Sequence, residues 1–128
     1  MTKFLASRLR PPGTGSIIKQ MTLLQKRDLA RKRRRLEVCA ETRRRLRGAL
    51  AELIPGQPVI LFGSLAHPGV FNDCSDVDIA LETEPPQMDV WRLMSELTER
   101  LERPVDIILL SRCRFREKIL REGERWTA

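Results

Sequence analysis

The sequence VILFGSLAHPGVFNDCSDVDIAL, residues 59–81, decides how the rest of the chain folds. It begins with the apolar run Val59–Phe62, which predicts a buried strand because the run is short, continuous and preceded by a turn signal. Gly63 then lets the backbone approach a ligand closely, and Ser64 offers a hydroxyl that can cap a following helix. A strand that ends in Gly-Ser before a helix aims backbone N–H groups at an anion, although Gly-Ser is also an ordinary turn.

The same stretch ends in two aspartates, Asp76 and Asp78, within a run that alternates polar and apolar residues. As a strand, this pattern places both carboxylates on one face, with Cβ atoms about 7 Å apart. They can therefore converge on metal ions that lie roughly 4 Å from one another. Divalent cations remove the desolvation and repulsion that two unpaired carboxylates cause at the start of a core strand. The alternatives are a solvent-exposed strand end, or Asp76 capping a turn.

A third carboxylate, Asp106, lies in the apolar run Val105–Leu110, which predicts a third buried strand. A lone buried carboxylate needs a partner. That partner is the same metal site if this strand lies beside the one that carries Asp76 and Asp78, and otherwise it is an arginine such as Arg103. Three carboxylates suit Mg²⁺, which prefers hard oxygen ligands, and Mn²⁺ satisfies the same set.

Helices are predicted around these strands. A basic helix is expected from about residue 22 to 54, before the terminator Pro55-Gly56, and a second from about Met88 to Arg100. A third is expected over Arg112–Glu122, with Gly123 at its end. The apolar positions expected to face the core from the first and third helices are Leu36, Cys39, Leu46, Ala49, Leu50 and Leu53, and Phe115, Ile119 and Leu120.

The chain length of 128 residues favours a single domain. Residues 1–21 contain a Pro- and Gly-rich passage that sustains neither helix nor strand, so a disordered leader is expected there. The domain is then expected to occupy residues 22–128.

The net charge of +7 is concentrated in one segment. Eleven Lys and Arg residues against three acids lie between Lys26 and Arg47, a local net of +8, so the remainder is close to neutral. This helix has three interpretations: a solvated face, a surface for an acidic protein partner, or a surface for RNA. Aromatic content is only 5%, which supplies few stacking platforms, so nucleic acid is possible but not favoured, and contacts would be mostly to phosphates.

The cysteines and the hydropathy indicate the compartment. Cys39, Cys74 and Cys113 are odd in number and widely spaced, and His67 is the only histidine, which argues for reduced thiols and against a zinc site. No apolar run approaches the roughly 20 residues that a membrane-spanning helix needs. A soluble cytoplasmic protein is expected, with its oligomeric state left open.

With these residues in place, the sequence closely resembles the DNA polymerase beta-like nucleotidyltransferases. It is most similar to their minimal, single-domain (MNT-type) members, which are often the antitoxin partners of HEPN-type toxins. The family pattern is an apolar strand, Gly-Ser, about ten residues, Asp-x-Asp and a later acidic residue. It is met here by Gly63, Ser64, Asp76, Asp78 and Asp106. The ending ILREGERW, residues 119–126, also resembles the close of minimal members, so the resemblance covers about residues 58–126.

The resemblance implies an α/β (α+β) fold with a small mixed three-stranded sheet flanked by helices in the order αβαβαβα. It also implies that two Mg²⁺ ions bind a nucleoside triphosphate and that a nucleoside monophosphate passes to an acceptor hydroxyl. The first hypothesis is that AMP passes from ATP to a partner protein, a HEPN-type toxin, while the sequence leaves the nucleotide base open. By motif position, Asp76 and Asp78 hold both metals, and Asp106 binds the metal that activates the acceptor. Gly63 and Ser64 cradle the β- and γ-phosphates.

The turn after Ser64 departs from the family pattern. Minimal members commonly have Gly-Ser-x-x-Arg-Gly, whereas this chain has Leu65-Ala66-His67-Pro68-Gly69 after the Gly-Ser pair. The chain thereby loses cation–phosphate contacts, which are among the stronger hydrogen bonds. The alternative function is therefore a weak or inactive antitoxin that acts by stoichiometric contact. A small-molecule nucleotidyltransferase is disfavoured because a chain of this length has little room for a second substrate-binding lobe.

Overall fold

The computed structural model describes Met21–Ala128, and the leader expected over residues 1–21 lies outside this range except for Met21. The helices are α1 (Leu23–Leu53), α2 (Val90–Leu101) and α3 (Arg116–Glu122), and single 3₁₀ turns span Gly63–Ala66 and Leu110–Arg112. The strands are β1 (Pro58–Phe62), β2 (Val77–Leu81), β3 (Val105–Leu109) and β4 (Glu124–Thr127). Within the described residues, no helix is both long enough and apolar enough to cross a membrane.

Helix α1 begins at a reciprocal cap. The Gln25 backbone N–H donates to Thr22 Oγ1 at 3.2 Å, and the Thr22 N–H donates to Gln25 Oε1 at 2.9 Å. These bonds satisfy two of the N–H groups that a helix start leaves unpaired. The chain divides between Arg33 and Arg34 into two compact units. In the first unit, the side chains of α1 are exposed except for half-buried Leu29.

The second unit, Arg34–Ala128, contains the sheet and the buried stripe of α1. That stripe consists of Val38, Cys39, Thr42, Leu46, Ala49 and Leu50. Leu36 is 46% exposed, so its predicted core position is wrong. Burial on α1 starts at Val38, and Leu36 precedes the point at which the helix meets the core.

The four described strands form one mixed sheet in the order β3-β2-β1-β4. Strands β2 and β3 are parallel, while β1 is antiparallel to both β2 and β4. The mixed α/β (α+β) class is confirmed, but the predicted count of three strands is wrong. The tail Glu124–Thr127 adds a fourth strand by pairing with β1, with Val59 opposite Trp126.

The two faces of the sheet carry different cores. One face presents Val59, Leu61, Val77 and Ile79 to a large apolar cluster that includes residues of α1 and α2. On the other face, Ile60 and Ala80 pack with Leu110 and Ile119 from the C-terminal segment. Because side chains alternate along a strand, Phe62, Asp78 and Asp106 belong to this second face.

The C-terminal helix is shorter than predicted. Helix α3 begins at Arg116 rather than Arg112, because Leu110–Arg112 forms a separate 3₁₀ turn. Ile119 is buried as predicted, but Phe115 is 65% exposed and precedes the helix, so its predicted inward position is wrong.

Candidate active site

Asp78 and Asp106 lie side by side on adjacent strands. They are register partners in the parallel pairing of β2 with β3, and Asp76 lies immediately before β2. The parallel pairing is what joins them, because it aligns the first residues of the two strands, Val77 with Val105. The structure thus places Asp106 beside Asp78, and Asp76 two residues before Asp78, although thirty positions separate Asp76 from Asp106 in the sequence.

Asp78 is half-buried, whereas Asp76 and Asp106 are exposed. The prediction that Asp106 is a buried carboxylate is therefore wrong. Strand β3 is an edge strand of the described sheet, and the C-terminal segment packs over Ile60 and Ala80 rather than over Asp106. Burial of Asp106 therefore gives no support to a metal site. The support comes instead from the position of Asp106 beside Asp78.

Arg103, the alternative partner of Asp106, is engaged elsewhere. Its Nη1 donates to the carbonyl oxygens of Ser75 at 2.8 Å and Asn72 at 3.1 Å, and its guanidinium lies 4.7 Å from the centre of the Phe71 ring. Arg103 therefore stabilises the loop that leads into β2, and this loop positions Asp76.

The turn before Asp76 is closed by its own polar residues. Asn72 Oδ1 accepts from the Cys74 N–H at 2.8 Å, and Ser75 Oγ accepts from the Asn72 N–H at 3.0 Å. Such side-chain bonds to nearby backbone are typical of Asn and Ser in turns. Asp76 is therefore not needed as the cap of this turn, and its carboxylate stays available to solvent or a ligand.

The electrostatics of the site centre on Asp78. Burial raises the pKa of the Asp78 carboxyl above its usual value, and the negative charges of Asp106 and Asp76 raise it further. A cation among these groups would have the opposite effect, because an opposite charge favours the ionised form. Ionisation of Asp78 is thus less favourable than that of an ordinary aspartate, and a nearby positive charge would make it more favourable.

Gly63 lies directly against this carboxylate. Its φ of 71° is in the left-handed region, and a Cβ at this position would overlap Asp78 Oδ2 and stand 3.2 Å from Asp78 Cγ. The contact follows from the register, since Phe62 is the partner of Asp78 across the β1–β2 ladder. Ser64 follows in a single 3₁₀ turn, in which its carbonyl accepts from the His67 N–H at 3.0 Å, rather than in the helix that the sequence suggested.

Arg43 holds this turn in place, a role that the sequence alone did not reveal. Its Nη1 donates to the Leu65 carbonyl at 3.2 Å, and its Nη2 forms a close ion pair with Glu124. Glu124 also accepts from Trp126 Nε1 at 2.6 Å. Arg43 stands four residues after buried Cys39 and three before buried Leu46, and this spacing was the signal that it faces inward.

The donor set has the chemistry that a hard divalent cation needs. Carboxylate oxygens are preferred ligands of Mg²⁺, and the mutual repulsion at Asp78 is the kind that a cation relieves. Within Met21–Ala128, however, no three His, Cys, Asp or Glu side chains are gathered into a ready metal-binding group. The residue types therefore fit a metal ion. For all three carboxylates to hold one ion, the side chains of Asp76 and Asp106 must turn toward Asp78.

The chain shows similarity to known proteins over this region. A family model described as "Polymerase beta, Nucleotidyltransferase" matches residues 57–126, which is more than half of the chain. The solved "Crystal structure of the toxin-antitoxin with AMP-PNP" is similar with a TM-score of 0.52 and 25% sequence identity, over 66% of this chain and 73% of that chain. No curated protein matches the chain significantly.

Proposed function

The chain belongs to the polymerase beta nucleotidyltransferase family, and from this we propose that it transfers AMP from ATP to a hydroxyl of a partner protein. The observation that carries the proposal is the arrangement of Asp78 beside Asp106, with the Gly63 backbone directly against Asp78. A backbone turn that approaches carboxylates this closely can place phosphate oxygens and acidic side chains around the same point.

Asp76, Asp78 and Asp106 are the residues that would hold two Mg²⁺ ions, with Mn²⁺ as an alternative. Bound there, the metal would neutralise phosphate charge and orient the attacking oxygen. Asp78 is central to this role because it is half-buried and its pKa is raised by burial and by both neighbouring carboxylates.

The remaining work of the chain is positioning. Gly63 and Ser64 would hold the β- and γ-phosphates through the backbone and hydroxyl of the turn. The acceptor oxygen forms a bond to the α-phosphorus while the bond from that phosphorus to the α–β bridging oxygen breaks, and pyrophosphate leaves. Asp106, which is exposed and lies on the edge strand of the described sheet, would take the proton of the acceptor hydroxyl.

The partner we propose is a HEPN-type toxin, for which this chain would act as the antitoxin in the cytoplasm. The similar solved structure is a toxin–antitoxin, which supports a protein acceptor. A protein also suits the exposure of Asp76 and Asp106, because a macromolecule can reach carboxylates that lie on the surface.

One observation favours the alternative, an antitoxin that acts by stoichiometric contact without catalysis. Leu65 stands where a basic residue is frequent in the family, and it is fully buried, so its side chain cannot reach a phosphate. His67 is exposed and directly follows the 3₁₀ turn Gly63–Ala66. If no other cation compensates, affinity for the triphosphate is reduced.

The deciding experiment incubates the chain and its partner protein with Mg²⁺ and ATP labelled at the α-phosphate. Transfer of label to the partner should be lost in the Asp76→Ala/Asp78→Ala variant and retained in Glu82→Ala, which removes an exposed carboxylate just beyond β2. If the wild type transfers no label and the double variant still inhibits the partner, the chain acts by stoichiometric binding and not by catalysis.

A further inference from the structure

A pocket of about 370 Å³ opens beside the aspartates, between the second face of the sheet and the C-terminal segment. Its floor includes Phe62 and Ile108, and Gly63 lies at its edge. Phe62 is the register partner of Asp78, and Ile108 stands two residues after Asp106 on the same face of β3. The floor of the pocket therefore continues directly from the carboxylates.

The other wall is formed by the segment that follows β3. Cys113, Phe115 and Ile119 line it, which makes the pocket largely apolar. Phe115 is 65% exposed, so the face of its ring is accessible to a ligand in the pocket. An aromatic ring at the edge of an apolar pocket offers a stacking face for a planar heterocycle.

The rim of the pocket supplies charge. His67 and Lys118 line it together with Glu122. Lys118 is exposed and forms no ion pair with any residue in the described range 21–128. A cation without a protein partner at the rim, next to an acidic centre, can contact the phosphates of a ligand that spans both.

We propose that this pocket binds the nucleoside of the triphosphate, with Phe115 stacking on the base and Lys118 contacting a phosphate. Lys118 thereby replaces the basic residue that the turn Leu65–Gly69 lacks. The inference rests on the proposed function, because it places the phosphates of the same nucleotide at Asp78 and Asp106. The pocket volume lies in the range of about 300–1,000 Å³ that ligand sites occupy, and its apolar walls with a few polar groups at the rim are typical of such sites.

Affinity measurements on the full chain test the two roles separately. Calorimetry uses α,β-methylene-ATP, which cannot be cleaved at the reacting bond, and adenosine, which has no phosphates. Phe115→Ala should weaken both ligands about tenfold, the effect of losing one base–aromatic stack. Lys118→Ala should weaken only the triphosphate analogue, also about tenfold, and Lys118→Arg should restore it. The matched controls are Trp91→Ala, which removes an exposed aromatic side chain of α2, and Arg114→Ala.

Cys113 gives a readout that depends on neither metal nor activity. It is half-buried and lines the pocket, whereas Cys39 is buried and Cys74 is exposed. In a Cys74→Ser variant, adenosine should slow the alkylation of Cys113 severalfold. Unchanged alkylation, together with wild-type affinity of Phe115→Ala for both ligands, would overturn the nucleoside site.

Failure of this site and failure of the proposed function give different results. If adenosine protects Cys113 but no label reaches the partner, the nucleoside site is supported and the proposed catalysis is not. If label transfer requires Asp76 and Asp78 but is unaffected by Phe115→Ala and Lys118→Ala at limiting ATP, catalysis stands and the pocket is not the nucleoside site.

Discussion

Gly63 packs its α-carbon against the carboxylate of Asp78, in a backbone conformation with φ of 71°. Two separate constraints therefore act on one residue. The left-handed φ disfavours any side chain, and the space that a Cβ would need is already filled by Asp78. The glycine is required by the site as well as by the turn.

We expect Gly63→Ala to lower the free energy of unfolding by about 1–3 kcal/mol, through backbone strain and overlap with Asp78. Urea denaturation measures this change, and calorimetry with α,β-methylene-ATP measures the accompanying loss of affinity. Gly48→Ala is the matched control, because Gly48 lies inside α1 and a Cβ added there would meet nothing within 4 Å apart from its chain neighbours and the helix's own backbone. That substitution should stabilise the chain by about 0.5–1 kcal/mol. Equal effects at the two positions would contradict the role given to Gly63.

Asp78→Asn should raise the melting temperature at pH 7 in the absence of divalent cations. The pKa of Asp78 is raised by burial and by the charges of Asp106 and Asp76, so the folded state binds this proton more tightly than the unfolded state does. The stability that this preference contributes is complete at low pH and is lost as the pH rises through the raised pKa. The neutral amide avoids that loss, and its advantage should disappear below about pH 4, near the ordinary pKa of an aspartate.

Divalent cations supply the control for the Asp78 prediction. Mg²⁺ or Mn²⁺ at millimolar concentration should raise the melting temperature of the wild type and leave Asp76→Ala/Asp78→Ala unchanged, since a ligand that binds only the folded state stabilises it. Glu82→Gln should respond to these cations as the wild type does. A cation effect that survives in the double variant would place the metal elsewhere.

The local sequence predicted the parts of this site, and the resemblance to the family predicted how they join. The apolar run Val59–Phe62 and the alternation around Asp78 are local patterns, and both became strands. The position of Asp106 beside Asp78 depends on the pairing of β2 with β3, which no local pattern specifies.

The features that the sequence did not predict, strand β4 and the role of Arg43, also depend on pairing and packing rather than on a local pattern. Strand β4 has four residues of which only Trp126 is buried, so it owes its conformation to pairing with β1 rather than to any apolar pattern of its own. Arg43 was hidden within a run of arginines, where charge suggests a solvated face. Its inward position appears only when it is compared with the buried stripe at Cys39 and Leu46.

Arg43→Ala should destabilise the chain by about 1–3 kcal/mol, because it leaves the Leu65 carbonyl and the Glu124 carboxylate without their shared donor. Trp126 should report the change by fluorescence, since Arg43 lies 5.3 Å from its ring centre. Arg44→Ala is the control for charge, as Arg44 is 75% exposed and its ion pair within residues 21–128 is with Glu41, one turn away. It should stay within about 0.5 kcal/mol of the wild type, and a comparable loss there would argue against the anchoring role.

We expect the exposed N-terminal part of α1 to bind the partner protein by electrostatic attraction. Among the described residues, Lys26, Arg27, Arg31, Lys32 and Arg33 form no ion pairs, and their side chains are exposed. Replacing all five by Gln should weaken the complex with the partner protein severalfold at low salt and leave it nearly unchanged at about 0.5 M salt, because exposed charges are screened there. Arg114→Gln/Arg116→Gln, which removes two exposed positive charges outside α1, should leave the affinity nearly unchanged. A labelled RNA duplex titrated in parallel separates the two partner classes, and affinity for either partner that does not depend on salt would rule out an electrostatic role for this segment.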